Sequence, residues 1–155
     1  MDLREYLLSE PETGIIRPVE CPEWDKTAED GKVERCELEM REMDILTRAT
    51  WRQLSFVPVA GTDAPGKAPE MVWDQPRSNA ALVALCTHYR SGEKAGQRVF
   101  LDTDLDMLLK LPGRHENAIN RLLGVATEIN FLGANVARVA AKNSKGSRKS
   151  GTSSK

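Results

Sequence analysis

Cys36-Glu37-Leu38-Glu39-Met40-Arg41-Glu42-Met43-Asp44-Ile45-Leu46 holds two periods in succession. Cys36, Leu38 and Met40 alternate with Glu37, Glu39 and Arg41, which is the period of two of a half-exposed strand. Asp44 then stands where an N-cap is needed, ahead of a helix with Ile45, Leu46, Ala49 and Leu54 on one side. A strand running straight into a capped helix predicts a mixed, mainly α (α+β) domain. The glutamates of this stretch, Glu34, Glu37, Glu39 and Glu42, read as the wet face of an edge strand, where charge deters aggregation. Nothing beside them supplies the environment that would shift a carboxyl pKa for acid/base work.

Outward from this stretch the chain divides into three parts. Residues 1–32 are punctuated by Pro11, Gly14, Pro18, Pro22 and Gly31 and are expected to form an extended arm, with a short amphipathic turn at Leu3, Leu7 and Leu8. Residues 33–141 are expected to be the mostly helical domain, broken at 56–76 by Pro58, Pro65, Pro69, Pro76, Gly61 and Gly66, which read as an exposed loop anchored at Met71 and Trp73. Beyond the loop, Asn79 to Tyr89 is predicted helical, with Leu82, Val83, Leu85 and Cys86 as its apolar side. Ser91 to Gly96 is a turn, and Val99-Phe100-Leu101 a short apolar segment. Asp102 or Thr103 is placed to cap a helix whose Leu105, Leu108 and Leu109 share a face, ended by Pro112-Gly113. Ile119, Leu122, Leu123, Ala126 and Ile129 follow at the spacing of one buried stripe. Gly133 can stop that helix, or Val136 and Val139 prolong it towards Ala141.

Residues 142–155 carry five basic side chains (Lys142, Lys145, Arg148, Lys149 and Lys155), no acid, and no apolar group larger than a threonine methyl. Such a segment cannot offset its ordering entropy by burial and is expected to be a flexible basic tail. The whole chain has 22 Lys+Arg against 23 Asp+Glu. Removing the tail therefore leaves 17 basic against 23 acidic residues, and nonspecific phosphate contact is the most the tail could supply without an aromatic to stack on a base.

Length and composition exclude several classes. With 155 residues, 40% hydrophobic and 29% charged, the chain can bury one core and is not wholesale disordered. No apolar run approaches the roughly 20 residues that cross a bilayer, and Met1-Asp2-Leu3-Arg4-Glu5 is acidic where a secretory signal is basic. Cys21, Cys36 and Cys86 are odd in number and widely spaced, so reduced thiols are expected. Asp102, Asp104 and Asp106 imitate the start of a calcium loop, but Met107 and Gly113 stand where it needs Gly and Glu. Cys86 and His88 lie two apart, so on a helix they point to different faces, and His115 has no ligand partner at a useful spacing. With no nucleophile elbow, phosphate loop or HExxH motif either, no enzyme activity, metal or cofactor is expected.

The order of elements resembles a known family. A strand ending in Arg41-Glu42-Met43 and followed by a helix is similar to the V-x-x-R-E-M opening of tail assembly chaperones from long-tailed (siphovirus-type) bacteriophages. Helical Ala80 to Cys86 leads to Gly96-Gln97-Arg98-Val99-Phe100-Leu101-Asp102-Thr103-Asp104-Leu105-Asp106-Met107-Leu108, which resembles the family's G-x-R-x-F-x-D-x-D-[LV]-x-x-L stretch. Ile119 to Leu122 and Glu128-Ile129-Asn130-Phe131-Leu132 are similar to its later helix, and Lys142-Asn143-Ser144 to the KNS that follows. The resemblance spans Val33 to Ser144.

It implies a protein of the host cell cytoplasm that binds the tape measure protein, keeps that long helical chain soluble, and is missing from the finished virion. A longer, frameshifted form would recruit the tail tube protein. Ala141-Lys142-Asn143 can be encoded by a slippery heptamer, which the gene sequence would reveal. Shielding helices calls for apolar grooves rimmed by charge. Leu105, Leu108, Leu109 and Leu122 are the partner-binding candidates, with plain core packing as their alternative; self-association is left open. Rival readings are a minor tail or head-completion protein, separable by mass spectrometry of purified particles, and a small nucleic-acid-binding regulator, separable by filter binding at two salt concentrations.

Overall fold

The structure, a computed structural model, describes residues 2–9 and 14–132. The alternating stretch forms strand β4 (Glu37–Arg41), with Leu38 and Met40 buried and Glu37 outside. It is the centre of a sheet, which corrects the expectation of an edge strand. On one side β1 (Ile16–Glu20) pairs antiparallel with it, Ile16 opposite Arg41 and Glu20 opposite Glu37. On the other side β7 (Thr87–Tyr89) pairs antiparallel, with Tyr89 opposite Leu38. The partners were hidden because Pro18 and two charges mask β1, and β7 is three residues grafted onto a helix end. Half the arm expected at 1–32 therefore belongs to the body: Val19 and Cys21 are core residues, and a 3-10 turn at Pro22–Trp24 follows. The amphipathic turn is present as α1 (Leu3–Ser9), which buries nothing. A β-ribbon of β2 (Lys26–Thr27) and β3 (Val33–Glu34) bridges to the central strand.

Helix α2 (Ile45–Ser55) begins as the sequence indicates, with Asp44 accepting the Thr47 amide at 2.7 Å. Of its expected face only Leu54 is turned inward. Ile45, Leu46 and Ala49 are exposed, while Trp51, Leu54 and Ser55 face α3 (Gln75–Cys86). Two bonds set this rotation: the Trp51 indole donates to the Ser78 carbonyl at 3.0 Å, and Arg48 to the Asn130 carbonyl at 3.0 Å. The Pro-rich segment 56–76 is not a plain loop. Its ends zip together as β5 (Phe56–Pro58) and β6 (Met71–Trp73), Phe56 opposite Trp73, with the Trp73 ring edge-on to both Trp51 and Phe56.

Helix α3 is capped by Asp74, carries Pro76 in its first turn, and is buried continuously from Ala80 to Cys86. It ends at Cys86 rather than at the expected Tyr89. The Thr87 hydroxyl donates back to the Val83 carbonyl at 2.6 Å, and Thr87 to Tyr89 fill the ladder beside β4. Below α3 lie α4 (Leu105–Leu109) and α5 (Glu116–Ile129), the latter burying Ala118, Leu122, Ala126 and Ile129. Asp102 and Thr103 do not cap. Asp104 accepts the Leu101 amide at 2.7 Å, while Asp102 pairs with Arg98. The molecule is thus a small α+β domain, with α5 against β1 and β4 of a three-stranded antiparallel sheet and α3 packed on α5, α2 and α4. Gly133, Val136, Val139, the KNS segment and the tail at 142–155 lie outside the described residues. Among the described residues no helix is long and apolar enough to cross a membrane.

Arg121 on α5 grips the 3-10 turn, donating to Glu23 at 3.0 and 2.8 Å and to the Glu20 carbonyl at 3.1 Å. These hydrogen bonds hold the Glu23 carboxyl down from about 4.5 to about 2. A depressed carboxyl pKa stabilises the fold above its unfolded value, and that contribution is lost as pH falls through the folded one. Urea unfolding between about pH 4.5 and 2 should therefore lose stability more gently in Glu23→Gln than in the wild type.

Candidate partner-binding groove

Three segments far apart in sequence converge at one end of the sheet. Trp24 comes from the 3-10 turn, and its indole donates to His115 Nδ1 at 3.0 Å, which fixes the ring against the start of α5. Phe100 meets Trp24 edge-on at 6.4 Å between centroids. The Phe100 segment is pulled back along β7 by the turn at 91–96, in which Gly92 and Gly96 take φ of +80°, a region costly for other residues. Tyr89 then donates its amide to Gln97, and Val99 to Thr87. Met107 and Leu111 close the far side.

Between these groups lies an open groove of about 770 Å³, floored by Trp24, Leu38, Tyr89, Val99, Phe100, Met107 and Leu111. Its rim is charged with both signs: Lys26, Arg35 and Lys94 against Glu34, Glu37 and Glu93. Lys94 Nζ sits 5.7 Å from the Tyr89 ring centre, a cation over an aromatic face.

Burial pushes the Cys36 thiol up, so the one thiol in the groove is held in its less nucleophilic form. Cys86 is pushed to about 12 by burial, and His88 is lowered by burial, its Nδ1 being 2.9 Å from the Cys86 carbonyl. Among the described residues no three His, Cys, Asp or Glu side chains cluster as metal ligands.

Of the four leucines singled out as partner-binding, Leu105 (1% exposed), Leu108 (7%) and Leu122 (0%) are core residues in this conformation. Leu105 and Leu108 pack on Ala80, Ala81 and Ala84, and Leu122 lies in the main core beneath the sheet. Leu109 is 46% exposed but does not line the groove. The groove uses the neighbours Met107 and Leu111 instead. Trp24 was hidden in a segment read as an arm; the signal that could have found it is that it and Phe100 are two of only eight aromatic side chains.

The residues that carry the resemblance do structural work. The Met43 amide donates to Asn130 Oδ1 at 2.9 Å, and the Ile15 amide to the Glu42 carboxylate at 2.8 Å. Arg98 ties the Ala84 carbonyl to Asp102. Compared with known family models, curated proteins and solved structures, the chain matches none.

Proposed function

We propose that this protein is a non-enzymatic helix-shielding factor: a tail assembly chaperone of a long-tailed phage that keeps the tape measure protein soluble in the host cytoplasm before the tube forms. The observation that carries the reading is the half-open apolar floor of Trp24, Val99, Phe100, Met107 and Leu111 inside a rim that carries charges of both signs. An amphipathic helix lays its apolar stripe into such a groove and meets flanking charges of either sign. The identity of the client, the recruitment of tail tube protein by a longer form, and absence from the virion rest on the resemblance of Arg41 to Met43, Gly96 to Leu108 and Glu128 to Leu132.

The test is co-expression with the long helix-rich protein encoded beside its gene. Wild type should move that partner into the soluble fraction. Met107→Glu places a carboxylate on the floor at a position already 45% exposed, so the fold survives. Partner affinity should fall about tenfold or more, equivalent to roughly 1.4 kcal/mol. A partner that stays insoluble with wild type, or is rescued equally by Met107→Glu, overturns the proposal. Mass spectrometry of purified particles should find the protein missing; its presence would favour a structural virion part.

A further inference from the structure

The two most exposed large apolar side chains among the described residues sit together on the first turn of α2: Ile45 is 88% exposed and Leu46 79%. With Ala49 they form a stripe opposite the side that Trp51, Leu54 and Ser55 turn towards α3. Beside Leu46 the stripe runs into an open cavity of about 640 Å³, where Ile15, Ile16 and Leu85 add apolar lining. Apolar surface continuous from a helix into a cavity marks a site of interaction.

The fold delivers its own C-terminal segment to this surface. Arg48 donates to the Asn130 carbonyl at 3.0 Å, the Met43 amide to Asn130 Oδ1 at 2.9 Å, and the Leu132 amide to the Thr127 carbonyl at 2.8 Å. The chain is therefore held against α2 on its Arg48 flank up to Leu132, and Ile45 is the neighbour of Arg48 one turn earlier. In the residues that follow, Gly133 to Ala141, there is no acid. Val136, Val139 and Ala140 fall on one side at the 3,4 spacing, with Arg138 opposite. As a helix this stretch spans about 14 Å, enough to cross the roughly 10 Å width of α2.

Charge favours the same occupant. At the far end of that path the bases of the cavity are already paired, Arg41 with Glu39 and Arg98 with Asp102. Glu42 and Asp44 have no ion-pair partner among the described residues, and they face the point where Lys142 and Lys145 would arrive. Arg48 is turned down to the Asn130 carbonyl, and Arg52 stands about 10 Å further along the helix axis, off the path. The patch is too small to hold a separate helix, which would give up its free motion to bind. A segment tethered at Leu132 is spared that cost.

We propose that residues 133–142 form an amphipathic helix lying across the start of α2, with Val136 and Val139 on Ile45 and Leu46 and the basic residues from Lys142 onward against Glu42 and Asp44. This inference does not depend on the groove or on its client.

Limited trypsin digestion of the full chain, followed by mass spectrometry, tests it. Trypsin cuts a docked helix only when it opens, so cleavage after Arg138 reports the docked population against cleavage after Lys145 in the same molecule. In wild type the Arg138 site should be cut at least tenfold more slowly than the Lys145 site, equally so at low micromolar and near-millimolar protein. Ile45→Asp puts a carboxylate on an exposed position in the first turn of α2, which the helix dipole favours, so the fold survives. It should raise the ratio of Arg138 to Lys145 cleavage at least tenfold, and Val136→Asp should do the same from the other side of the contact. The proposal is overturned if the two sites are cut equally fast in wild type, if neither aspartate variant raises the ratio, or if protection appears only at high protein concentration, which would make the occupant a second copy.

Discussion

Replacing Leu122 by alanine is expected to lower the unfolding free energy by about 3 kcal/mol, within the usual range for a buried leucine truncation. The side chain is fully buried, at the centre of the α5 stripe, in a cluster with Leu38 and Met40 of the sheet and Leu82, Val83 and Cys86 of α3. Its neighbours on the helix, Ala118 and Ala126, are already the smallest side chains that still pack, so they have nothing to swing into the space. The cavity stays largely open, and its cost adds to the lost transfer energy. Urea unfolding should show a lower midpoint with unchanged slope, and the melting temperature should drop by roughly 6–12 °C. Partner affinity of the fraction that remains folded should not change. A stability loss under about 1 kcal/mol, joined to weaker partner binding, would instead make Leu122 a contact residue, as the sequence pattern alone allowed.

That ambiguity shows where sequence reading stops. The period-two stretch ending at Arg41, the Asp44 cap and the α5 stripe are local facts, each contained within a few turns or residues of chain, and the structure has all three, with the strand central rather than at an edge and Ile119 and Leu123 only partly buried beside Ala118. Which face of α2 is buried is not local. Ile45 and Leu46 are the more apolar pair, yet Trp51 and Leu54 face inward because α3 lies there and the Ser78 carbonyl takes the indole proton. The sheet order was equally out of reach, since β1 contains a proline and β7 is three residues that a helical reading absorbs. In α4, a 3,4 spacing placed Leu109 with Leu105 and Leu108. The helix ends at Leu109, and its last side chain is left in solvent. The groove was legible least of all. Trp24, Phe100 and Met107 are brought together by a strand register and a glycine turn, and no window of sequence contains all three.

Asn130 is the residue whose removal should do most damage for its size, and its pH behaviour separates two explanations. It is fully buried at the C-terminal end of α5, and the chain turns there through Phe131 with φ of 56°. Asn130 Oδ1 accepts the Met43 amide at 2.9 Å, and Nδ2 donates to the Ala126 carbonyl at 2.8 Å, with Cys86 Sγ at 3.5 Å. One amide therefore joins α5 to the junction of β4 and α2. Asn130→Ala leaves the buried Met43 N–H without an acceptor, and about 2–3 kcal/mol of stability should be lost. Asn130→Asp keeps that acceptor but sets a carboxylate oxygen against the Ala126 carbonyl, where only a donor fits. Burial and that repulsion favour the protonated acid, so its folded pKa lies above the ordinary value near 3.9. A raised pKa gives stability that is full below the unfolded value and is lost as pH rises through the folded one. Asn130→Asp should thus approach wild type in urea unfolding near about pH 4 and fall towards the alanine variant by about pH 7. That is opposite in sign to the Glu23 effect. Wild-type stability for Asn130→Asp at both pH values would show that packing volume, which aspartate keeps, and not the paired hydrogen bonds, is what Asn130 supplies.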